Sequence, residues 1–298
     1  MSRPRTIDEV RQWGFRELKQ AGIDDPGLSA DLLLAHCLDV PRLNLPLMEE
    51  QALSDEDWSA YVRCIEQRCD HRPLQYITGE EGFYGRTFQV DERALIPRPE
   101  TEGLVEQALS VLHERRSSGK SQEAERTVCD LGTGTGVILL TILMECPGAR
   151  GVGVDHAEGA VELSRENARR YDLMDRLDLI QGDFQAGSTE QALNELGPFD
   201  LVISNPPYVS SGELEHLDPE VREHEPVDAL KVPGERAKFY TELAQLADRL
   251  TTEHGVFALE TAGKRELSAV ELEEVTSFSE ASYRIDHRGM SRFLLAVK

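Results

Sequence analysis

The chain has 298 residues, of which 55 are Asp or Glu and 32 are Lys or Arg, for a net charge of −23. That length suits one medium domain plus a smaller one, without disulfide staples. The acidity speaks against direct nucleic-acid binding, because such a chain repels a phosphate backbone at long range. No apolar run approaches the ~20 residues of a membrane span, so no membrane association is expected and the chain reads as cytoplasmic. The cysteines, Cys37, Cys64, Cys69, Cys129 and Cys146, include no CxxC pair and read as reduced, buried, structural thiols.

Residues 1–72 read as a small helical bundle. Thr6 with Glu9 forms a capping box ahead of an apolar stripe of Val10, Trp13, Leu18 and Ala21. Pro26 opens a second helix, and Ser54 with Asp57 caps a third whose buried side carries Trp58, Tyr61, Val62 and Ile65. Over 73–95, aromatic and aliphatic residues alternate with Gly79, Gly82 and Gly85, which predicts a β-hairpin linker. Pro97 and Pro99 then hold an extended segment ahead of a helix beginning near Glu100.

From there to residue 298, strands and helices alternate. Strands are predicted at 128–131, 151–155, 177–181, 200–204 and 255–260, with two more at 283–286 and 292–297. This α/β pattern implies a mostly parallel sheet covered on both faces. Residues 117–125 read as a surface loop. A longer loop runs from Tyr208 to about Glu235 and is expected to become ordered on partner binding.

Asp130-Leu131-Gly132-Thr133-Gly134-Thr135-Gly136 follows the first strand of this region and opens a helix. Glycines there let a ligand approach the backbone at the carboxyl edge of the sheet. The third glycine is misplaced for a dinucleotide fingerprint, and no Gly-Lys-Ser/Thr follows to make a P-loop. A ligand with an adenosine and an amino acid but no pyrophosphate fits better. Asp155 ends the second strand, 19 residues after Gly136, where a carboxylate can accept both ribose hydroxyls. Asp183 and Phe184 close the third, where an adenine can stack on the ring while a polar neighbour reads its amino group.

Asn205-Pro206-Pro207-Tyr208 ends the fourth strand, beside that expected site. An amide nitrogen is a poor nucleophile because its lone pair is delocalised. The Asn205 side-chain oxygen and the Pro206 carbonyl can accept its two N–H groups, hold it in line with a sulfonium methyl and favour the charge that develops on it. The prolines stiffen the turn, and Tyr208 offers a flat face. A sulfonium is already activated, so the reading requires no metal. The tetrapeptide suits adenine N6 as well as a glutamine amide.

With these motifs the chain resembles the release-factor glutamine N5-methyltransferases, the HemK or PrmC family. The resemblance rests on Arg72-Pro73 to Gly79, Phe83-Tyr84-Gly85, Leu95-Ile96-Pro97-Arg98-Pro99-Glu100-Thr101-Glu102, Asp130 to Gly136 and Asn205 to Tyr208. It continues in Glu225-Pro226, Ala229-Leu230, Asp286, Gly289 and Arg292. It implies a class I S-adenosylmethionine-dependent methyltransferase domain over 96–298, Rossmann-like with a mostly parallel seven-stranded sheet. It further implies a 1–72 domain that grips the release factor, a 73–95 hairpin linker, and S-adenosylhomocysteine as product. Cofactor contacts are implied at Gly132, Thr133, Gly134, Thr135, Gly136, Asp155, Asp183, Phe184 and Asn205, and substrate contacts at Asn205, Pro206, Pro207 and Tyr208. Glu260 to Gly263 departs from the family's usual Glu-x-Gly arrangement, so no role is carried onto it. A monomer is expected. The alternative is a nucleic-acid adenine-N6 methyltransferase. The charge and the segment at 95–102 weigh against it.

Lysine occurs only at 19, 120, 231, 238, 264 and 298. Acidic, lysine-poor surfaces keep proteins soluble at high salt, so a salt-adapted chain is expected to lose activity as salt is lowered. A titration of activity against salt checks this, and an optimum at low salt removes the salt-adaptation reading.

Overall fold

A computed structural model describes residues 6–117, 126–263 and 267–298. The chain forms two compact units, Met1–Glu80 with Leu217–His224, and Glu81–His216 with Glu225–Lys298. The predicted surface loop lies almost wholly in 118–125, outside the described residues. Among the described residues no helix is long and apolar enough to cross a membrane.

The first unit is helical: α1 (Ile7–Gln20), α2 (Pro26–Leu38), α3 (Asp55–Cys69) and α4 (Leu74–Thr78). The Thr6–Glu9 capping box starts α1, with both reciprocal bonds at 3.3 Å. Ser54 accepts the Asp57 N–H at 3.0 Å and starts α3. The apolar faces meet in a core of Ile7, Val10, Leu18, Leu33, Leu34, Tyr61 and Ile65. The Tyr61 phenol satisfies itself there by donating to the Ala30 carbonyl at 3.2 Å. All the cysteines are reduced, but only Cys129 is fully buried; the other four are half-buried, and Cys37 and Cys64 bring their Sγ atoms to 3.6 Å. Leu217–His224 completes this unit through Glu220, which pairs with the buried Arg68 guanidinium, and through the His224 ring, 3.0 Å from the Asp70 carbonyl.

After α4 the chain forms β1 (Glu80–Phe83) and β2 (Arg86–Gln89), a hairpin turned at Tyr84-Gly85, both with positive φ. Then follow α5 (Pro99–Ser117), β3 (Arg126–Leu131), α6 (Val137–Glu145), β4 (Ala149–Asp155), α7 (Glu158–Arg170) and β5 (Leu177–Gln181). Next come α8 (Gly187–Leu196) and β6 (Phe199–Ser204). In place of the loop expected after Tyr208 the chain forms three short helices, α9 (Ser211–Leu214), α10 (Pro219–His224), which belongs to the first unit, and α11 (Val227–Leu230). The chain ends with α12 (Arg236–Leu250), β7 (Thr251–Glu260), α13 (Ala269–Val275), β8 (Glu280–Ile285) and β9 (Ser291–Val297).

The seven-stranded sheet has the order β5-β4-β3-β6-β7-β9-β8. Pairings among β5, β4, β3, β6 and β7 are parallel; β9 is antiparallel to both β7 and β8. Alternate residues feed two cores. Leu201, Ile203, Val256, Ala258 and Leu295 meet α5 and α6 on one face. Val202, Phe257, Leu259, Leu294 and Ala296 meet α12 and α13 on the other. From β3 the strand order runs outward both ways, so the crevice at its carboxyl end is the topological switch point where open α/β sheets bind ligands.

Phe257 is fully buried and stacks on Phe278 at 6.0 Å between ring centroids. Phe257→Ala is therefore expected to destabilise the second unit by ~3–5 kcal/mol, read as a lower denaturant midpoint in equilibrium unfolding.

Candidate active site

The turn after β3 is pinned from three sides. The N–H groups of Gly132 and Thr133 both reach the Val154 carbonyl at 2.9 Å. Gly134 N–H donates to Asp155 Oδ2 at 2.9 Å. The Asn167 side chain donates to the Thr135 carbonyl at 3.0 Å, and it also exchanges bonds with the Gln89 backbone in the hairpin. Gly136 enters α6 with φ +82°, and a Cβ there would stand 2.5 Å from Ser164 Oγ, so only glycine fits. Gly132 has φ +81° and no atom within 4 Å of the Cβ position, which leaves its face open.

That face opens onto a cavity of about 580 Å³, a size typical of small-molecule sites. Its wall includes Gly132, Thr133, Gly134, Thr135, Asp155, Asp183, Phe184, Asn205 and Pro207. The predicted residues thus converge, with three exceptions: Gly136 lies behind the turn, and neither Pro206 nor Tyr208 is part of the wall. Pro206 is buried and Tyr208 half-buried, and burial pushes the Tyr208 phenol upward in pKa.

Asp155 does more than end a strand. Besides accepting from Gly134, it accepts the Ala157 N–H at 3.0 Å in the turn that leads to α7. Its own carbonyl accepts the Gly182 N–H at 2.9 Å, which ties the end of β4 to the segment leading to Asp183 and Phe184. Phe184 is half-buried against Phe239, with ring centroids 6.3 Å apart. On the other side of β3, Ser204 Oγ donates to the Leu131 carbonyl at 2.6 Å, which fastens the end of β6 to the glycine-rich turn. Asn205 comes next, and its Nδ2 donates to Thr101 Oγ1 at 3.2 Å.

Several residues of the site escaped the sequence reading. Thr101 lines the cavity, and its hydroxyl hydrogen-bonds Glu260, the buried carboxylate ending β7. Arg98 on the same wall donates to the buried Glu225 at 2.6 Å, bringing together two segments distant in sequence. Arg93 is clamped by Asp91 and Glu166, with Nη2 at 2.7 Å from each carboxylate. The one available signal was positional: Glu260 ends a parallel strand at the same sheet edge as Asp155. Asn167 had no sequence signal.

A seven-stranded sheet with β9 antiparallel beside β7 and a glycine-rich turn after β3 defines a class I methyltransferase fold. The N-terminal domain of human METTL16 in complex with SAH matches with a TM-score of 0.53 at 14% identity, over 95% of this chain and 93% of that one. The hMettl16 catalytic domain in complex with the MAT2A 3'UTR hairpin 6 matches with a TM-score of 0.54 at 12% identity, over 83% and 84%. Those likenesses are of fold. A family model described as a methyltransferase domain matches residues 122–284, and one described as the PrmC N-terminal domain matches 9–79. The release factor glutamine methyltransferase of Chlorobaculum tepidum is 37% identical over 262 residues, 85% of this chain and 87% of that protein. That of Caulobacter vibrioides is 34% identical over 295 residues, 98% and 97%. The chain belongs to the release factor glutamine methyltransferase family.

The fold family implies S-adenosylmethionine, and the wall chemistry fits it. The open face of Gly132 leaves room for a ligand against the backbone. Asp155, Asp183 and Asp228 place carboxylates on the wall for a sulfonium cation and ribose hydroxyls to meet, and of its basic residues, Arg93, Arg98 and Lys231, the two arginines are each held by carboxylates.

Asp130 lies fully buried under the turn. Burial pushes its carboxyl up to about 7, against the hydrogen bond donated by Thr133 at 2.9 Å. Its folded pKa therefore exceeds its unfolded one. The stability it contributes is complete below about pH 4 and is lost as pH rises through about 7. Asp130→Asn cannot titrate, so its denaturant midpoint is expected to fall less than that of the wild type between about pH 5 and pH 8. Equal slopes in the two proteins would contradict this.

Proposed function

We propose that this chain transfers the methyl group of S-adenosylmethionine to the side-chain nitrogen, N5, of the glutamine in the Gly-Gly-Gln tip of peptide-chain release factors. The observation that carries this reading is the placement of Asn205 on the wall of the same cavity as the glycine-rich turn and Asp155. Family membership supplies the substrate. The adenine alternative shares the acceptor chemistry, and the likeness to METTL16 adds only fold.

The cofactor, when bound, supplies an activated methyl group. The residues of the chain bind and orient. Gly132 to Thr135 admit the ligand to the backbone while Gly136 closes the turn behind them, Asp155 accepts the ribose hydroxyls, and Phe184 with Asp183 receives the adenine. The Asn205 side-chain oxygen accepts one N–H of the substrate amide and the Pro206 carbonyl the other, with Pro207 stiffening the turn and Tyr208 behind it. These acceptors favour the positive charge that builds on nitrogen as the N–C bond forms. The amide then loses one proton to water, and S-adenosylhomocysteine leaves. The helical unit grips the release factor, and the protein works as a cytoplasmic monomer.

The test uses labelled S-adenosylmethionine with a wild-type release factor, a release factor carrying Gln→Ala at the tip, and an adenine-containing oligonucleotide. Label is expected on the first alone. Label on both release factors overturns the glutamine assignment, and label on the oligonucleotide alone establishes the adenine reading. In Asn205→Ala, turnover is expected to fall about 100-fold or more while calorimetric affinity for the donor largely stays. Activity within about tenfold of wild type, under ~1.4 kcal/mol in the barrier, contradicts the role given to Asn205.

A further inference from the structure

Glu260 is 1% exposed and has no part in the mechanism above, and its side chain is not on the cavity wall. Its side-chain hydrogen-bond partner is Thr101, itself 2% exposed, whose hydroxyl holds the charged form of the carboxylate. The same Thr101 oxygen accepts from Asn205 Nδ2 at 3.2 Å. A side-chain amide has a donating end and an accepting end of nearly equal shape, so packing alone scarcely distinguishes its two orientations. Hydrogen-bond polarity does. A hydroxyl has one proton. An ionised carboxylate only accepts, so the Thr101 proton is committed to Glu260. The Thr101 oxygen is then left as an acceptor, and Asn205 must turn its nitrogen toward it. The Asn205 oxygen is thereby presented away from Thr101. The opposite orientation would set the Asn205 NH₂ against the substrate NH₂, donor against donor.

We propose that Glu260 is a positioning residue which, through Thr101, sets the orientation of the Asn205 amide so that its oxygen receives the substrate nitrogen. This rests on the acceptor role given to Asn205 above and adds what enforces it. The charged groups facing Glu260 are Arg292, Glu100 and Asp286, and the Tyr208 phenol lies close enough to feel its charge. Arg292 is itself held by Asp286, Nε to Oδ2 at 2.9 Å, and Glu100 by Arg288 at 3.0 Å. Burial raises the Glu260 carboxyl to about 7, while Thr101 and Arg292 act in the opposite sense. Once protonated, Glu260 can donate to Thr101, whose proton is freed to point at Asn205, and the orientation is no longer enforced. Turnover is therefore expected to rise with pH through about 7.

The experiment compares T101V, T101S, E260Q and the T101V/E260Q double variant in the full chain, with labelled donor and a release factor. T101V removes the relay while keeping the side chain's shape, and T101S keeps the hydroxyl. T101V and E260Q are each expected to lower kcat about tenfold or more, with KM for the release factor changed less than about threefold. T101S should stay within about threefold of wild type, and the double variant should be no slower than T101V, because the residues act as one unit. The rising pH limb should vanish in E260Q, where the buried Asp130 remains to titrate.

T101V with wild-type kcat overturns the proposal. So does a double variant whose losses multiply, or a pH limb unchanged in E260Q. If E260Q fails to fold, the T101V and T101S pair decides alone. An inactive Asn205→Ala beside a fully active T101V refutes only this inference. An active Asn205→Ala refutes the reading on which it rests.

Discussion

The parallel pairing of β3 with β6 is the constraint on which the site depends. Cys129 stands opposite Val202 and Asp130 opposite Ile203, and Ser204 Oγ locks the top of the pair to the Leu131 carbonyl at 2.6 Å. A one-residue slip would exchange the two faces of β6, sending Leu201 and Ile203 into the layer packed around Val202 and Phe199 and the reverse, so each side chain would meet a space shaped for another. This register puts the glycine-rich turn and Asn205 at one height on the sheet edge. The glycine-rich turn and Asn205 meet because two buried strands are paired in this one register. The β3–β4 pairing does the same on the other flank, delivering Asp155 to the Gly134 N–H.

The chemistry written in contiguous residues was legible before folding. The turn from Asp130 to Gly136 and the tetrapeptide from Asn205 to Tyr208 are each contiguous, and the structure brings Gly132 to Thr135, Asn205 and Pro207 to one cavity. The sheet was legible because its strands are short apolar runs spaced by helical segments. What was not legible lies across the fold. The contact from Glu260 through Thr101 to Asn205 draws on β7, α5 and the end of β6, and no local pattern links them. The pairing of Arg98 with Glu225 likewise appears only when two distant segments meet. The helices after Tyr208 were missed for another reason. They are four to six residues long, too short for a helical apolar period to show.

The charge composition gains meaning from the structure. With lysine scarce, internal ion pairs fall to arginine, whose planar fork can serve several oxygens at once. Arg93 bridges Asp91 and Glu166, Arg292 holds the buried Asp286, and Arg98 holds Glu225. Many other ion pairs, such as Lys238 with Glu242, are exposed and contribute little to stability. The site runs the opposite way. Asp130 and Glu260 are carboxyls withdrawn from water and raised toward neutrality, beneath the glycine-rich turn and behind Asn205 respectively.

The helical unit is not contiguous in sequence. Its closing piece, Leu217–His224, is encoded after β6, and it carries the Glu220 carboxylate that neutralises the buried Arg68. On a ribosome, the first four helices emerge without Glu220, and the Arg68 guanidinium then keeps the Arg72 carbonyl at 3.0 Å but lacks its carboxylate. The amino-terminal unit therefore cannot reach its final state until most strands of the methyltransferase sheet have been synthesised. Vectorial synthesis, which usually lets an amino-terminal domain mature first, is here made to wait for the middle of the chain.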